Sequence, residues 1–208
     1  MIRLYDYHRD ENGVRVRLLL SMLGISFETI DVDKEPGREQ DKQNLLALNP
    51  TGTLPILEDG DVRLFGTAAI LAYLVRAHAP DSSWLPADAA DFGRVQQWLG
   101  FSGRELKHAV DAREAALFTS EGASDSDLKA ARKAFRIMND HMTLRQIDGC
   151  EWFVGANPTL ADLALLPSFA LSRDCGIDHD EYPALRRWLR RFRALPGFIT
   201  MPGVPDYH

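Results

Sequence analysis

Cysteine is scarce in this chain: Cys150 and Cys175 are the only two among 208 residues. Two thiols cannot make a disulfide framework, so a reducing compartment is the expected setting. An excess of positive charge is also missing. The formal net charge is −6, which argues against a nucleic-acid partner and against a membrane surface. No apolar run approaches the length of a membrane span. The opening Met1-Ile2-Arg3-Leu4-Tyr5-Asp6 has no long apolar run of the kind that marks a secretory leader. A cytoplasmic protein is expected. The six histidines show no metal-ligand spacing such as His-x-x-x-His with a third partner, so no metal is expected. Internal repeats and low-complexity tracts are lacking as well. What is present, 45% hydrophobic and 26% charged residues, is the composition of a globular protein, and the length allows one large domain or two small ones.

Taken in order, Ile2 to Tyr7 alternates like a strand. After the polar run His8–Gly13, Val14, Leu18 and Met22 share one helical face, with Asn12 placed as N-cap and Gly24 as a C-terminal stop. Phe27 to Asp33 has the period of a second strand, and Leu45 to Leu48 gives a short helix. Pro55 to Glu58 is a third strand, Glu58-Asp59-Gly60-Asp61 a hairpin turn, and Val62 to Phe65 a fourth strand. Thr67 to His78 is helical, with Thr67 as N-cap. The resulting order is β-α-β-α-β-β-α: a parallel first pair joined by a crossover helix, then an antiparallel hairpin. Residues 79–90 read as a linker by composition. Beyond it the pattern is helical throughout: 91–117, 127–147, 163–172 and a last helix from Tyr182-Pro183. The expected organisation is an α/β domain over residues 1–78, the linker, and an all-helical bundle over 91–208.

The stretch Asn49-Pro50-Thr51-Gly52-Thr53-Leu54-Pro55-Ile56-Leu57 sits at the join of turn and strand. Pro55 has no N–H to donate, so it belongs at the first position of a strand or on its edge. A cis Leu54–Pro55 bond there would leave the Leu54 N–H and C=O turned outward, ready to pair with an extended peptide as a sheet edge does.

Together these features resemble the cytosolic glutathione transferase family, with the first unit similar to a thioredoxin-type domain. The resemblance runs through Asn49–Leu57, Ala69-Ile70-Leu71-Ala72-Tyr73-Leu74, Thr159-Leu160-Ala161-Asp162, and Tyr182–Leu189 followed by Leu195-Pro196. It covers essentially the whole chain and suggests a bacterial-type member without fixing its class. It implies that glutathione is the co-substrate, that its thiolate attacks a small hydrophobic electrophile in a detoxification role, and that the protein is a homodimer. Thr53, Leu54 and Pro55 would hold the peptide. Trp98, Phe101, Arg104, Glu105 and His108, on the first long helix, would line the electrophile pocket. Thr159 and Asp162 would be a capping pair used for folding.

The chain departs from the family in three places. Asp10 and Gly13 stand where bacterial members carry the Ser or Cys that activates the sulfur. A carboxylate beside the sulfur would raise the thiol pKa. Asn12 is then the best donor, with a second reading as helix cap; Tyr5 and Tyr7 are phenols set early in the strand, where packing is the competing role. Gly66-Thr67 replaces an acidic residue and a serine that hold the γ-glutamyl end. Thr67 keeps a hydroxyl at a helix N-terminus, also a cap position, while Gly66 loses the carboxylate. Thr53 replaces a cation, leaving Gln40 or Lys42 to meet the glycyl end, with exposed helix surface as their alternative. Arg9 would neutralise Asp10 or meet a peptide carboxylate, or is a solvated charge. Both cysteines fall in the helical half, which disfavours thiol exchange. The competing functions are a binding protein that kept the fold and lost the chemistry, and a glutathione-dependent isomerase or dehalogenase.

Overall fold

The computed structural model describes residues 1–200, which divide into two compact units, one of residues 1–80 and one from residue 81 onward. The first unit runs β1 (Ile2–Asp6), α1 (Glu11–Met22), β2 (Phe27–Asp31), α2 (Gln43–Leu46), β3 (Ile56–Asp59), β4 (Val62–Phe65) and α3 (Thr67–His78), with a 3-10 turn at Glu39–Asp41 before α2. The four strands lie in the order β2-β1-β3-β4. β1 and β2 are parallel, from Ile2 against Phe27 to Asp6 against Asp31, as the crossover helix between them requires. β3 is antiparallel to both β1 and β4. The β3–β4 turn passes through Gly60, whose φ of 59° a side chain would resist. This is the thioredoxin-like arrangement that the family resemblance implies.

Leu4, Ile56 and Leu57 of the sheet, and Leu18, Leu19, Leu20, Ile70, Leu71, Leu74 and Val75 of α1 and α3, are all buried. Each such side chain contributes about 1.5–3 kcal/mol on leaving water. α1 ends as its glycine suggests. Gly24 has φ 66°, its N–H donates to Ser21, and the Ile25 N–H reaches back to Leu20, a double closure of the last turn.

Several boundaries differ from the sequence reading. β1 stops at Asp6, because the Asp10 N–H bonds the Tyr7 carbonyl and turns the chain. The N-cap of α1 is Asp10, with Asn12 already inside the helix. A carboxylate there complements the helix dipole, which an amide does not. The cap position of α3 is Gly66, at φ 84°, and Thr67 is the first helical residue without a capping bond.

The second unit is helical throughout: α4 (Ala89–Arg104), α5 (Lys107–Phe118), α6 (Asp125–Ile147), α7 (Leu160–Ala170) and α8 (Pro183–Arg193), with 3-10 turns at Ser172–Cys175 and His179–Glu181. The single helix expected over 91–117 is two. Near the join the Leu106 N–H bonds the Phe101 carbonyl five residues back, a widened turn, and Gly100 and Gly103 weaken the helix before it. All eleven residues of α7 are buried, as befits a helix apolar on every side. Around it are Phe135, Phe153, Tyr182, Trp188 and Phe192, each nearly inaccessible. Asp162 is a fully buried carboxylate at this centre. It completes a capping box with Thr159 and also accepts from the Phe153 N–H (2.9 Å) and Trp188 Nε1 (3.0 Å). The arginines of α8 face outward, with Arg186 beside Asp180, Arg187 on Gln146 and Arg191 on Glu151.

Candidate functional site

The strand register gathers the predicted residues of the first unit at one end of its sheet. Ile56 pairs with Tyr5 on one side and Phe65 on the other. The residues just beyond these pairs are Leu54-Pro55, the loop that follows β1, and Gly66-Thr67. The Leu54–Pro55 peptide is cis. β3 starts one residue after Pro55, and the ladder to β1 ends at Ile56, so the Leu54 main chain stands beyond its last pair.

Asn49, which the sequence reading treated only as the start of a turn, fixes this edge. It is 1% exposed. Its Nδ2 donates to the Thr53 carbonyl (2.7 Å) and to Thr53 Oγ1 (3.1 Å), and its Oδ1 accepts from the Thr51 N–H (3.0 Å) and Oγ1 (2.7 Å). The Thr53 side chain is thereby committed to the loop itself. Gly52, at φ 65°, lies against Gln40 and Asp41, which brings the 3-10 turn to the same edge. Gln40 Oε1 is buried there with no hydrogen-bond partner among the described residues. Lys42 is exposed and pairs with Glu39 at 2.9 Å. Such a surface pair is worth under about 1 kcal/mol and is readily exchanged. Arg9 is exposed on the turn after β1, and Gly66 is exposed while Thr67 is half-buried.

The loop His8–Gly13 is organised around Asp10. Its Oδ1 accepts from the Asn12 N–H (2.9 Å) and the Gly13 N–H (3.1 Å), and its Oδ2 meets Lys34 Nζ at 3.1 Å. The carboxylate is thus engaged by the helix start and by Lys34. Asn12 has its own anchor. Arg15, 2% exposed, donates from Nη1 to Asn12 Oδ1 (2.9 Å) and from Nη2 to Glu11 (2.8 Å). The guanidinium occupies the carbonyl side of the amide, so the Nδ2–H donors lie outside that contact. Gly13 is glycine for steric reasons: a Cβ there would fall on the Asp6 carboxyl, which is buried and held by the Tyr7 N–H and by Arg17.

The two tyrosines are placed differently. Tyr5 Oη donates to Glu58 at 3.0 Å. Burial raises its pKa, and the Glu58 hydrogen bond and charge raise it further. It is therefore occupied away from the loop. Tyr7 is buried, edge-on to His8 at 4.8 Å between centroids. It lines a cavity of about 430 Å³ at the ends of β1 and β2, whose other walls include Asp31, Asp33 and Glu35.

In the second unit, Phe101, Arg104, Glu105 and His108 share a cavity of about 360 Å³ with Ala130, Lys133, Ala134 and Ile137 of α6. Trp98 is not part of its lining. It is buried in the aromatic cluster against Phe101, His141 and Phe153.

A four-stranded thioredoxin-like unit followed by an all-helical one, with a proline-preceded edge at the end of the sheet, defines the two-part class of the cytosolic glutathione transferases. Comparison with known proteins agrees. Residues 1–76 match the family model of the glutathione S-transferase N-terminal domain, and residues 91–196 match that of the glutathione S-transferase C-terminal domain. The chain belongs to the glutathione S-transferase family. Among its structural neighbours is a Rhodopseudomonas palustris crystal structure described as a possible glutathione S-transferase. The TM-score is 0.86 and the identity 30%, over 98% of this chain and 99% of the other. Escherichia coli glutathione S-transferase GstB is 24% identical over 99% of both chains. The Pseudomonas aeruginosa maleylacetoacetate isomerase is 26% identical over 95% of this chain and 93% of its own.

The sequence reading missed Asp10 as the cap, Lys34 as its partner, Arg15 as the anchor of Asn12, and Asn49 as the organiser of the edge. Two signals were available. Glu11 immediately after Asp10 places an acid in a helix's first turn, and Asn49-Pro50 marks a turn whose side chain commonly bonds its own backbone two residues on.

Proposed function

We propose that the protein binds glutathione along the Thr53-Leu54-Pro55 edge and conjugates its sulfur to a small hydrophobic electrophile, with Asn12 as the donor to the thiolate. The observation that carries this is the Arg15–Asn12 contact, which takes up the amide oxygen and leaves the amide N–H groups to meet an anion. In this reading the Leu54 N–H and C=O pair with the peptide main chain. The Thr67 N–H and hydroxyl at the start of α3 take the γ-glutamyl carboxylate, and Gly66 permits the close approach. Gln40, or Lys42 after release from Glu39, meets the glycyl carboxylate, and Arg9 faces the same ligand from the turn. A homodimer fits the apolar side chains that β4 leaves in water, Val62 and Phe65.

A second reading has its own support: a protein that binds glutathione without activating it. Asp10 already occupies N–H groups at the start of α1 that would otherwise favour a thiolate. One series separates the two. Calorimetry with millimolar glutathione tests binding, and an ultraviolet pH titration of the bound ligand tests ionisation. Saturable binding is expected, with the bound thiol about one pKa unit below its free value of about 8.5. Asn12→Ala should return it to that value. No binding refutes both readings; binding with an unshifted thiol refutes the catalytic one.

A further inference from the structure

β2 is an outer strand of the first unit's sheet and pairs with β1 alone. The Val32 N–H donates to the Asp6 carbonyl at 2.8 Å. With the period of two, Ile30 and Glu28 turn their main chains to β1 as well. Phe27, Thr29 and Asp31 therefore point their N–H and C=O groups out of the sheet, the row to which an extended chain adds. Thr29 and Asp31 are exposed, and so are Glu28 and, just past the strand, Asp33 and Glu35. The cations nearby are turned elsewhere. Arg3, opposite Glu28 in the register, pairs with Glu58 at 2.8 Å, Arg17 pairs with Asp6, and Lys34 pairs with Asp10 at 3.1 Å. The edge is thus acidic, unlike β4 at the other side of the sheet with its exposed Val62 and Phe65. At the C-terminal end of β2 the cavity of about 430 Å³ brings Asp31, Asp33 and Glu35 to an aromatic wall of Tyr7 and His8. That is room for one long basic side chain, its stem along the rings and its head at the carboxylates.

We propose that the outer edge of β2 docks an extended basic segment of another protein as a fifth strand. The main chains of Thr29 and Asp31 pair with it, one basic side chain lies beside Glu28, and a second enters the cavity among Asp31, Asp33 and Glu35. Charge selects this occupant. A second copy of the chain would set two acidic edges against each other, and like charges across a strand pair are destabilising. A small amine would fill the cavity and leave the outward N–H and C=O groups as they are. The surface does not rest on the glutathione reading, and its test contains no glutathione, so either fails without touching the other.

The full chain is titrated by calorimetry with a short peptide of alternating lysine and valine, acetylated and amidated at its ends. Its glutamate counterpart and two forms of it, N-methylated at every lysine or at every valine, are the controls. Saturable binding of the lysine peptide is expected, and none of the glutamate one. Affinity should fall about tenfold as ionic strength rises from about 0.01 M to about 0.15 M, because the Debye length shrinks from about 30 Å to about 8 Å. One of the two N-methylated forms should bind at least about tenfold more weakly, since its charge is kept and its pairing donors are lost. Thr29→Pro removes only an outward donor and should weaken the peptide to the same extent. Asp33→Asn with Glu35→Gln should weaken it about fivefold. Hydrogen exchange at the Thr29 and Asp31 N–H groups should slow when the peptide is bound. If Thr29→Pro does not fold, the N-methylated forms on the wild type decide the same point. Full affinity for both N-methylated forms, equal binding of the glutamate peptide, or unslowed exchange at Thr29 and Asp31 overturns the assignment, as does the absence of saturation at millimolar peptide.

Discussion

Replacing Asp162 by alanine tests how the helical unit is held together. The Asp162 carboxylate accepts from the Phe153 N–H (2.9 Å) and Trp188 Nε1 (3.0 Å) on one oxygen, and from the Thr159 N–H (3.0 Å) and Oγ1 (3.2 Å) on the other. Alanine strands three N–H donors in a closed interior, while the threonine hydroxyl can turn to another acceptor. At about 1–2 kcal/mol each, the loss is roughly 3–6 kcal/mol, a large part of a domain's stability. Against this stands the cost of burying the charge. Burial pushes the Asp162 carboxyl up to about 6, although all four donors pull it down.

The sign follows from linkage. A carboxyl with a folded pKa above its unfolded value holds its proton longer in the native state. Its contribution is fully present below the unfolded pKa and is lost as pH rises through the folded one. The wild type should therefore lose about 2 kcal/mol of this contribution between about pH 4.5 and about pH 7.5, and the alanine variant should not. Denaturant unfolding of both proteins, followed by tryptophan fluorescence, gives the difference at each pH, with shared titrations cancelling. Asp162→Ala should cost about 2 kcal/mol more at the lower pH. A penalty that is equal at the two values, or larger at the higher one, refutes the reasoning.

Two further substitutions probe the first unit. Asn49→Ala removes the tie between the loop and Thr53, and should lower stability by about 2 kcal/mol through stranded buried groups while weakening glutathione affinity in calorimetry; unchanged affinity would separate the loop from the ligand. Gly13→Ala drives a methyl onto the Asp6 carboxyl and should destabilise by about 1–3 kcal/mol in thermal unfolding, whereas a neutral result would mean that Asp6 moves freely.

Elements with a strong local pattern were legible from the sequence. The period-two strands, the hairpin at Gly60 and the glycine stop of α1 each follow from a few adjacent residues. So did the capping box at Thr159 and Asp162, although not the Trp188 bond to the same carboxylate, which joins residues 26 apart. The site was legible only as an edge. Its loop depends on competition between two capping residues, Asp10 and Asn12, two positions apart and nearly equal in intrinsic preference. Lys34, 24 residues away, decides how the winner's charge is balanced. The Arg15–Glu11 pair was invisible for a different reason: a charged residue on a helix is normally exposed, and only the packed structure shows this one to be buried.

The capping outcome sets a limit on the chemistry. With Asp10 holding the Asn12 and Gly13 N–H groups, the start of α1 has fewer backbone donors left for an anion, and its dipole is already met by a carboxylate. If Asn12 alone donates to the sulfur, a neutral amide supplies about 1–1.4 kcal/mol, or about one unit of thiol pKa. A thiol brought from about 8.5 to about 7.5 is roughly one-quarter ionised at neutral pH, against about 3% when free. That is a rate gain below tenfold from ionisation, partly cancelled because a less basic thiolate is a weaker nucleophile. Most of any acceleration must then come from holding the two reactants together, where orientation can supply several kcal/mol. Asn12→Ala should accordingly lower kcat by less than about tenfold. A loss of a hundredfold or more would mean that the amide does more than donate one hydrogen bond.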